Sequence, residues 1–370
     1  MNLAIVRWRI AGSGGVERFI FDIARALGAR GVEVTLISEP FERRDLFPGR
    51  TLELPRMRGS RGRRYRNFQR AVAERLAANA FTLVQSHERL LTADLYRAGD
   101  GVHAAWVDRL KRSRPWRRRL GMGLNPMHRL YMETERRMVS ETDMIFVANS
   151  ALVARELGDW LGLAGSRIRL IENGVDLDRF APAAPEARAA ARAALGLEGH
   201  GPVLAYVGSG FERKGAFHLI RALAMPELAG VSAIVAGRDK ASGALRDLVG
   251  RLGLTDRVLV AGQVEDVATV LSAADVFVLP TLYDPMPNAA LEALASGLPV
   301  VTTADAGIAD AVAESGAGRI AERTPEAFAE AITAVLGDLP AAGAAALALR
   351  PRLALSAAVE KWLDLYEELT

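Results

Sequence analysis

Five short apolar runs limit what the second half of this chain can become. They are PVLAYVG (202–208), VSAIVAG (231–237), RVLVAG (257–262), DVFVLP (275–280) and PVVTT (299–303), with helix-forming stretches between most of them. Runs with so few polar positions need cover on both faces, and their alternation with helices requires a parallel sheet with helices on each side. The first half repeats the theme. A strand-like stretch at 3–10 is followed by AGSGG, an amphipathic helix from about Val16 to Ala29, and the strand VEVTLI, a β-α-β unit with a glycine-rich first turn. FTLVQSH, ADLYRA and DMIFVANS read as further strands. The expected fold class is therefore α/β with two doubly wound domains. Residues 1–172 form the first and 173–355 the second, joined by a Pro- and Ala-rich linker near 173–190. The amphipathic segment 356–370, with Trp362, Leu363 and Leu369, is expected to pack back on the first domain.

Composition sets further limits. Half of the 370 residues are hydrophobic, enough for two cores of ordinary size. There is no cysteine, which removes disulfides and thiolate metal sites and fits a reducing compartment. The N-terminus runs straight into a strand-like stretch without the features of a signal peptide, and no apolar run reaches the roughly 20 residues of a membrane span. The expectation is a cytoplasmic protein. Residues 1–170 hold 31 Lys and Arg against 18 Asp and Glu, whereas the remainder is acidic, so the two halves point to different partners.

Ligands of open α/β sheets sit at the carboxyl ends of strands, and four segments occupy such ends. In the first, Gly12 to Gly15 let a backbone approach a ligand, and the helix that follows favours a phosphate. A plain tight turn has the same sequence. The third glycine of a dinucleotide fingerprint is missing, although Glu39 after the second strand leaves an NAD-dependent oxidoreductase open. In the second, VGSGFERKG, Arg213 and Lys214 can neutralise a diphosphate. The chain has only Lys111, Lys214, Lys240 and Lys361 among its 47 basic residues, so a lysine at a strand end stands out from a solvated turn.

The third segment, DPMPNAALEALASG, places Asp284 beyond a strand and Glu292 inside an apolar helix. With Pro287 near the first helical position, the backbone N–H groups around Asn288, Ala289 and Ala290 are expected to face a ligand. The two carboxylates would accept hydrogen bonds from sugar hydroxyls. Glu292 also suits an early helical position on dipole grounds alone. The fourth segment is RAGDGVHAAW, with Asp100 and His103 as candidates to position a hydroxyl or as a surface polar pair; His87 is a weaker candidate. Asp176 to Asp178 imitate a metal-binding Asp-x-Asp but lie in the linker, so no metal is expected there.

Taken together, DPMPNAALEALASGLPVV, GSGGVERF, IENGVDLDRF and GSGFERKG resemble, in the same order, the motifs of retaining GT-B glycosyltransferases of family 4. The resemblance covers nearly the whole chain. Within the family LYRAGDGVHAAW and GFERKG look most like the lipopolysaccharide-core α-1,3-glucosyltransferases. The resemblance implies two Rossmann-like domains, the second binding a nucleotide sugar such as UDP-glucose and the first a saccharide or lipid-linked acceptor. It implies Glu292 on the ribose, Arg213 and Lys214 on the diphosphate, Asp284 on the hexose near the reacting carbon, and Gly14 and Gly15 beside the diphosphate. Asp100 or His103 would orient the acceptor. No metal or other cofactor is implied. Two departures bear on the hexose: Asp284 stands where the family usually has Glu, and Pro287 where it has Gly. A nucleotide-sugar 2-epimerase of the same fold remains an alternative.

Two basic tracts complete the reading. One is a loop carrying Arg43, Arg44, Arg50, Arg56, Arg58, Arg61, Arg63, Arg64 and Arg66. The other, 106–120, carries Arg109, Lys111, Arg112, Arg114, Arg117, Arg118 and Arg119 among Trp106, Leu110, Trp116 and Leu120. Such tracts suit an anionic inner-membrane surface, and on this reading the protein is peripheral on the cytoplasmic face. A phosphorylated acceptor or a nucleic acid would also suit them, but nucleic acid is not the expected partner.

Overall fold

The computed structural model describes residues 1–10, 15–42, 44–114, 125–199 and 201–370. They divide into two units, Met1–Gly174 with Leu355–Thr370, and Val175–Ala354.

The first unit is built on a parallel sheet of β1 (Asn2–Val6), β2 (Glu33–Ser38), β3 (Arg50–Glu53), β4 (Leu83–Ser86), β5 (Leu95–Arg97), β6 (Ile145–Ala148) and β7 (Ile168–Leu170). Its order is β3-β2-β1-β4-β5-β6-β7, so the winding reverses beside β1 and opens a crevice at the carboxyl ends there. Side chains of β1 alternate between faces. Leu3 and Ile5 join one core with Phe19, Ile20 and Ile23, while Ala4 and Val6 join another with Phe68 and Val72. The helix Leu355–Leu369 returns to the first core with Trp362 wholly buried, and the Tyr366 hydroxyl donates to Gln85 Oε1 at 2.6 Å.

The second unit has six parallel strands, β8 (Val203–Val207), β9 (Ser232–Ala236), β10 (Val258–Gly262), β11 (Val276–Leu279), β12 (Val300–Thr302) and β13 (Gly318–Ile320), in the order β10-β9-β8-β11-β12-β13. The five apolar runs are β8 to β12. The two-domain doubly wound architecture expected from the alternation is the one found.

Three short strands escape the sequence reading. β3, β7 and β13 are RTLE, IRL and GRI, each with an arginine in a run of three or four. All three sit at sheet edges, where charge is tolerated and deters pairing with other chains. The arginine tract at 43–66 is therefore not one loop. It contains the edge strand β3 and the start of the helix Arg61–Ala77, whose first turn is capped by Ser60 accepting from the Arg63 N–H.

The stretch 173–190 is not an exposed tether either. Val175 and Phe180 are buried in the second core, and Val175 N–H donates to Leu353 C=O at 2.8 Å. The helix Pro185–Ala194 is held by Arg192 and Arg188, both ion-paired to Asp275. Among the described residues no single helix is long and apolar enough to cross a membrane. The pair Pro325–Gly337 and Leu339–Ala348 reaches the length only with a bend of 88°, and the first of the two buries Phe328, Ile332 and Val335.

Candidate functional site

In the second unit the chain leaves β8 through Gly208 and Gly210, makes the four-residue helix Phe211–Lys214, and turns at Gly215 into the helix Ala216–Leu223. Gly215 has φ +84°, and a Cβ on it would lie 2.0 Å from the carbonyl oxygen of Pro280. Only glycine lets this turn press against the segment beyond β11. The contact is then fastened. The Arg213 carbonyl accepts from Leu282 N–H at 2.7 Å, and Arg323 donates to the carbonyls of Pro280 and Glu212 at 2.8 and 2.7 Å.

This seam brings three predicted residues together. Lys214 Nζ lies 3.0 Å from Asp284 Oδ2 and Arg213 Nη1 3.8 Å from the same oxygen. Arg213 also donates to the Tyr283 carbonyl at 2.6 Å. Asp284 Oδ2 has no hydrogen-bond partner, so the lysine contact is an ion pair. The Lys214 stem crosses Gly208, where a Cβ would sit 2.7 Å from its Cδ. Asp284 is only 7% exposed. Its backbone is held in register, its N–H donating to Asp305 C=O at 3.1 Å and its C=O accepting from Gly307 N–H at 2.8 Å.

The helix Asn288–Ala295 follows with Pro287 as its N-cap rather than its first helical residue. The Ala290 N–H donates to the Pro287 carbonyl at 2.9 Å, which removes it from the groups expected to face a ligand. The first turn is tightened to an i→i+3 bond, a common way for a helix to satisfy its own early donors. Asn288 and Ala289 occupy the first two positions. Glu292 is buried in the second turn, and its carbonyl accepts from Ser296.

Sequence reasoning missed two residues that hold this site. Asp239, after β9, accepts from the N–H groups of Gly210, Phe211 and Ala241 at 2.7, 3.0 and 2.7 Å, fixing the loop before Arg213. Burial works against its charge, yet the three N–H groups more than offset this and its pKa is lowered. Its signal was an Asp two residues past a strand-ending glycine. Arg323 carried no signal in an arginine-rich chain.

In the first unit, Asp100 lies in the turn after β5, its side chain 55% exposed and 4.0 Å from Arg7 Nη1. His103 opens the helix His103–Arg112. Its N–H donates to Glu135, and its Nε2 is 2.9 Å from His128 Nδ1. Asp100 and His103 thus have different partners. Glu135, itself ion-paired to buried Arg89 at 2.8 Å, supplies the negative charge that a helix start favours. Burial, then Arg89 and His128, pull the His103 pKa down to about 3, so its imidazole is neutral near pH 7. Unfolded histidine takes a proton below about pH 6.5. The His103 contribution to stability is therefore present above that pH and lost as pH falls toward the folded value. In His103→Gln the decline of the urea midpoint between about pH 6.5 and 4 should be shallower than in the parent. An equal decline would show that His103 is exposed in solution.

His87 is buried, with Nε2 2.9 Å from Gln85 Nε2. Gly15 begins the helix Gly15–Gly28; Gly14 lies outside the described residues, as do Arg43 and the stretch 115–124 with Trp116, Arg117, Arg118, Arg119 and Leu120. Glu39 is not placed for a ribose. It is buried and accepts from the Trp8 indole at 2.8 Å, Arg9 Nε at 3.1 Å and the Met57 N–H at 2.9 Å. Asp176 Oδ1 accepts from the N–H groups of Asp178 and Arg179, both at 3.1 Å, which gives the Asp-x-Asp stretch a turn-capping role.

Two family models match the chain. Residues 13–179 match Glycosyltransferase Family 4 and residues 201–338 match Glycosyl transferases group 1. Curated relatives include the D-inositol 3-phosphate glycosyltransferases of Salinispora arenicola (strain CNS-205) and Geodermatophilus obscurus. The first is 34% identical over 59% of this chain and 52% of the relative. The second is 36% identical over 61% of this chain and 53% of the relative. The chain spans about half the length of the curated relatives it matches. Among solved structures, WaaG, a glycosyltransferase involved in lipopolysaccharide biosynthesis, superposes with a TM-score of 0.84 at 23% identity, covering 98% of this chain and 99% of that one. Anabaena Alr3699/HepE in complex with UDP and glucose gives 0.78 at 18% identity, covering 100% of both chains. The chain has the GT-B fold, its first unit matching the Glycosyltransferase Family 4 model and its second the Glycosyl transferases group 1 model.

Proposed function

We propose that the chain is a retaining, metal-independent hexosyltransferase that moves glucose from UDP-glucose to a saccharide or polyol hydroxyl. The observation that carries this reading is the cluster of Arg213, Lys214 and Asp284 at the carboxyl ends of β8 and β11, directly before the helix Asn288–Ala295. Two cations beside a helix N-terminus match a diphosphate, whose charge grows as it leaves. An incoming diphosphate competes for Lys214 and releases Asp284 to the hexose. Glu292 is assigned to the ribose, and Asn288 and Ala289 to the phosphates. Asp100 and neutral His103 are assigned to the acceptor, and Gly14 and Gly15 to the diphosphate. UDP-glucose as donor is supported by the Anabaena structural neighbour determined with UDP-glucose.

Two leads bear on the acceptor. The fold neighbour WaaG, involved in lipopolysaccharide biosynthesis, favours the lipopolysaccharide-core acceptor expected from the sequence, and the curated relatives favour an inositol phosphate. The basic tracts near 43–66 and 106–120 favour a lipid-linked acceptor met at an anionic membrane surface, with the protein peripheral on its cytoplasmic side. Co-sedimentation of the parent with vesicles containing an anionic lipid tests this; absence of binding at low salt would remove the membrane surface.

Incubation with UDP- and ADP-sugars tests the reaction itself, since slow release of the nucleoside diphosphate marks a glycosyltransferase. Interconversion of the sugar without such release would favour the epimerase. In Lys214→Ala the transition state should lose about 2 kcal/mol, roughly thirtyfold in kcat/KM, for one charge-assisted bond to the leaving group. Unchanged turnover would take the diphosphate away from Lys214.

A further inference from the structure

Among the described residues of the first unit seven buried polar atoms have no hydrogen-bond partner, and four of them belong to residues at the carboxyl ends of neighbouring strands. These four are Arg7 Nε just past β1, His87 Nδ1 just past β4, Arg97 Nε at the end of β5 and Asn149 Oδ1 just past β6. These strands are adjacent in the order β1-β4-β5-β6 and include the place where the winding reverses. Buried polar groups are nearly always paired, so a cluster of orphans at a strand-end crevice calls for an occupant.

The chemistry of the four atoms describes that occupant. Both guanidinium Nε–H groups are donors. Gln85 uses its Oε1 for the Tyr366 hydroxyl, so its amide nitrogen faces His87 Nε2, which must accept; the His87 proton then sits on Nδ1, a third donor. Asn149 Oδ1 alone is an acceptor, its amide nitrogen being turned to the Gly99 carbonyl at 3.3 Å. The two arginines differ in their counter-ions: Arg7 is paired with Glu88 at 3.2 Å and lies 4.0 Å from Asp100, whereas Arg97 touches neither. Arg97 is 2% exposed, and among the described residues no carboxylate lies within ion-pair distance of it. Its compensation is the Asn173 Oδ1 and the face of Phe19, 4.1 Å from its Cζ. Burial is the main reason its pKa falls to about 10; Asp100 opposes the fall from a distance and Arg7 adds to it. A buried charge without a counter-ion is costly. A neutral hydroxyl would fill the hydrogen bonds but leave Arg97 without a counter-ion in contact.

We propose that the carboxyl ends of β1, β4, β5 and β6 form a subsite for a phosphate group carried by the acceptor. This rests on the reading that the first unit holds the acceptor of a glycosyltransferase. The phosphate oxygens take Arg7, His87 and Arg97, and a neighbouring hydroxyl of the same acceptor donates to Asn149. Entry is beside half-exposed Asp100, which the phosphate displaces from Arg7; Glu88 stays on Arg7 Nη1 and leaves the Nε–H to the phosphate. The donor diphosphate has its own cations in Arg213 and Lys214, so this subsite does not duplicate them.

The test is calorimetric titration of the full chain, saturated with UDP so that the donor site is filled. The probes are D-inositol 3-phosphate, myo-inositol and inorganic phosphate. D-inositol 3-phosphate should bind at least roughly tenfold more tightly than myo-inositol, the worth of one charged hydrogen bond. Arg97→Gln should bring that ratio to about one and abolish binding of inorganic phosphate, whereas Arg97→Lys should keep most of the discrimination. A role of Arg97 in structure alone would leave the ratio unmoved. Should Arg97→Gln not fold, Arg7→Gln is read in the same way. A ratio unchanged in these variants, or no phosphate-dependent binding by a parent that binds UDP, overturns the subsite. A parent that fails to bind UDP overturns the donor reading instead.

Discussion

Asp284→Asn is expected to lower transfer about a hundredfold, ~2.7 kcal/mol in the transition state, while UDP binding holds or tightens severalfold. The asymmetry comes from the geometry. In the free protein Asp284 sits 3.0 Å from Lys214 Nζ and 3.8 Å from Arg213 Nη1, so the acid competes with a diphosphate for both cations. Asparagine keeps the shape and removes the competition, which favours the nucleotide. It also removes the negative charge assigned to the hexose, where positive character develops at the reacting carbon, and that loss appears in kcat. Glu292→Gln should behave in the opposite sense, with UDP bound more weakly. Calorimetric titration with UDP beside steady-state transfer separates the two. If Asp284→Asn loses UDP affinity while Glu292→Gln retains it, the two acids have each other's role.

Gly215→Ala should destabilise the second unit by about 3 kcal/mol, combining the left-handed backbone with a forced contact. The φ of +84° strains any residue with a Cβ, and that atom would meet the Pro280 carbonyl oxygen at 2.0 Å, a backbone atom that cannot swing away. Relief requires the turn to lift from the segment beyond β11. That would loosen the Leu282 N–H to Arg213 C=O bond and draw Lys214 away from Asp284. The melting transition should therefore fall by roughly 10 °C, and turnover should fall with it even at temperatures where the variant is folded. Gly250→Ala is the control. Gly250 lies within a helix with nothing within 4 Å of its Cβ position, so alanine there should be neutral or stabilising. Equal melting temperatures for Gly215→Ala and the parent would show that the turn is not fastened as described.

The alternation of wholly apolar runs with helices was sufficient to read a doubly wound α/β fold, because a buried parallel strand leaves no polar position and so marks itself. Strands β8 to β12 announced themselves in this way. β3, β7 and β13 did not, because an edge strand is half solvated and its arginine breaks the apolar run without harm. The segments around Arg213 and Asp284 were legible as strand ends rich in glycine, charge and proline. Their meeting was not, since it depends on Gly215 pressing onto Pro280 across 65 residues of chain. The helix start at Pro287 was legible, but the use of the Ala290 N–H within its own first turn was a matter of local bond length. Glu39 shows the limit from the other side. From sequence it was an acid after a strand, available to a ribose; in the fold Trp8, Arg9 and Met57 take its oxygens. Sequence determined which side chains stand at strand ends, because periodicity is local. The tertiary structure decided which of them pair with one another and which are left unpaired, because hydrogen bonds and ion pairs form between neighbours in space, whatever their separation along the chain.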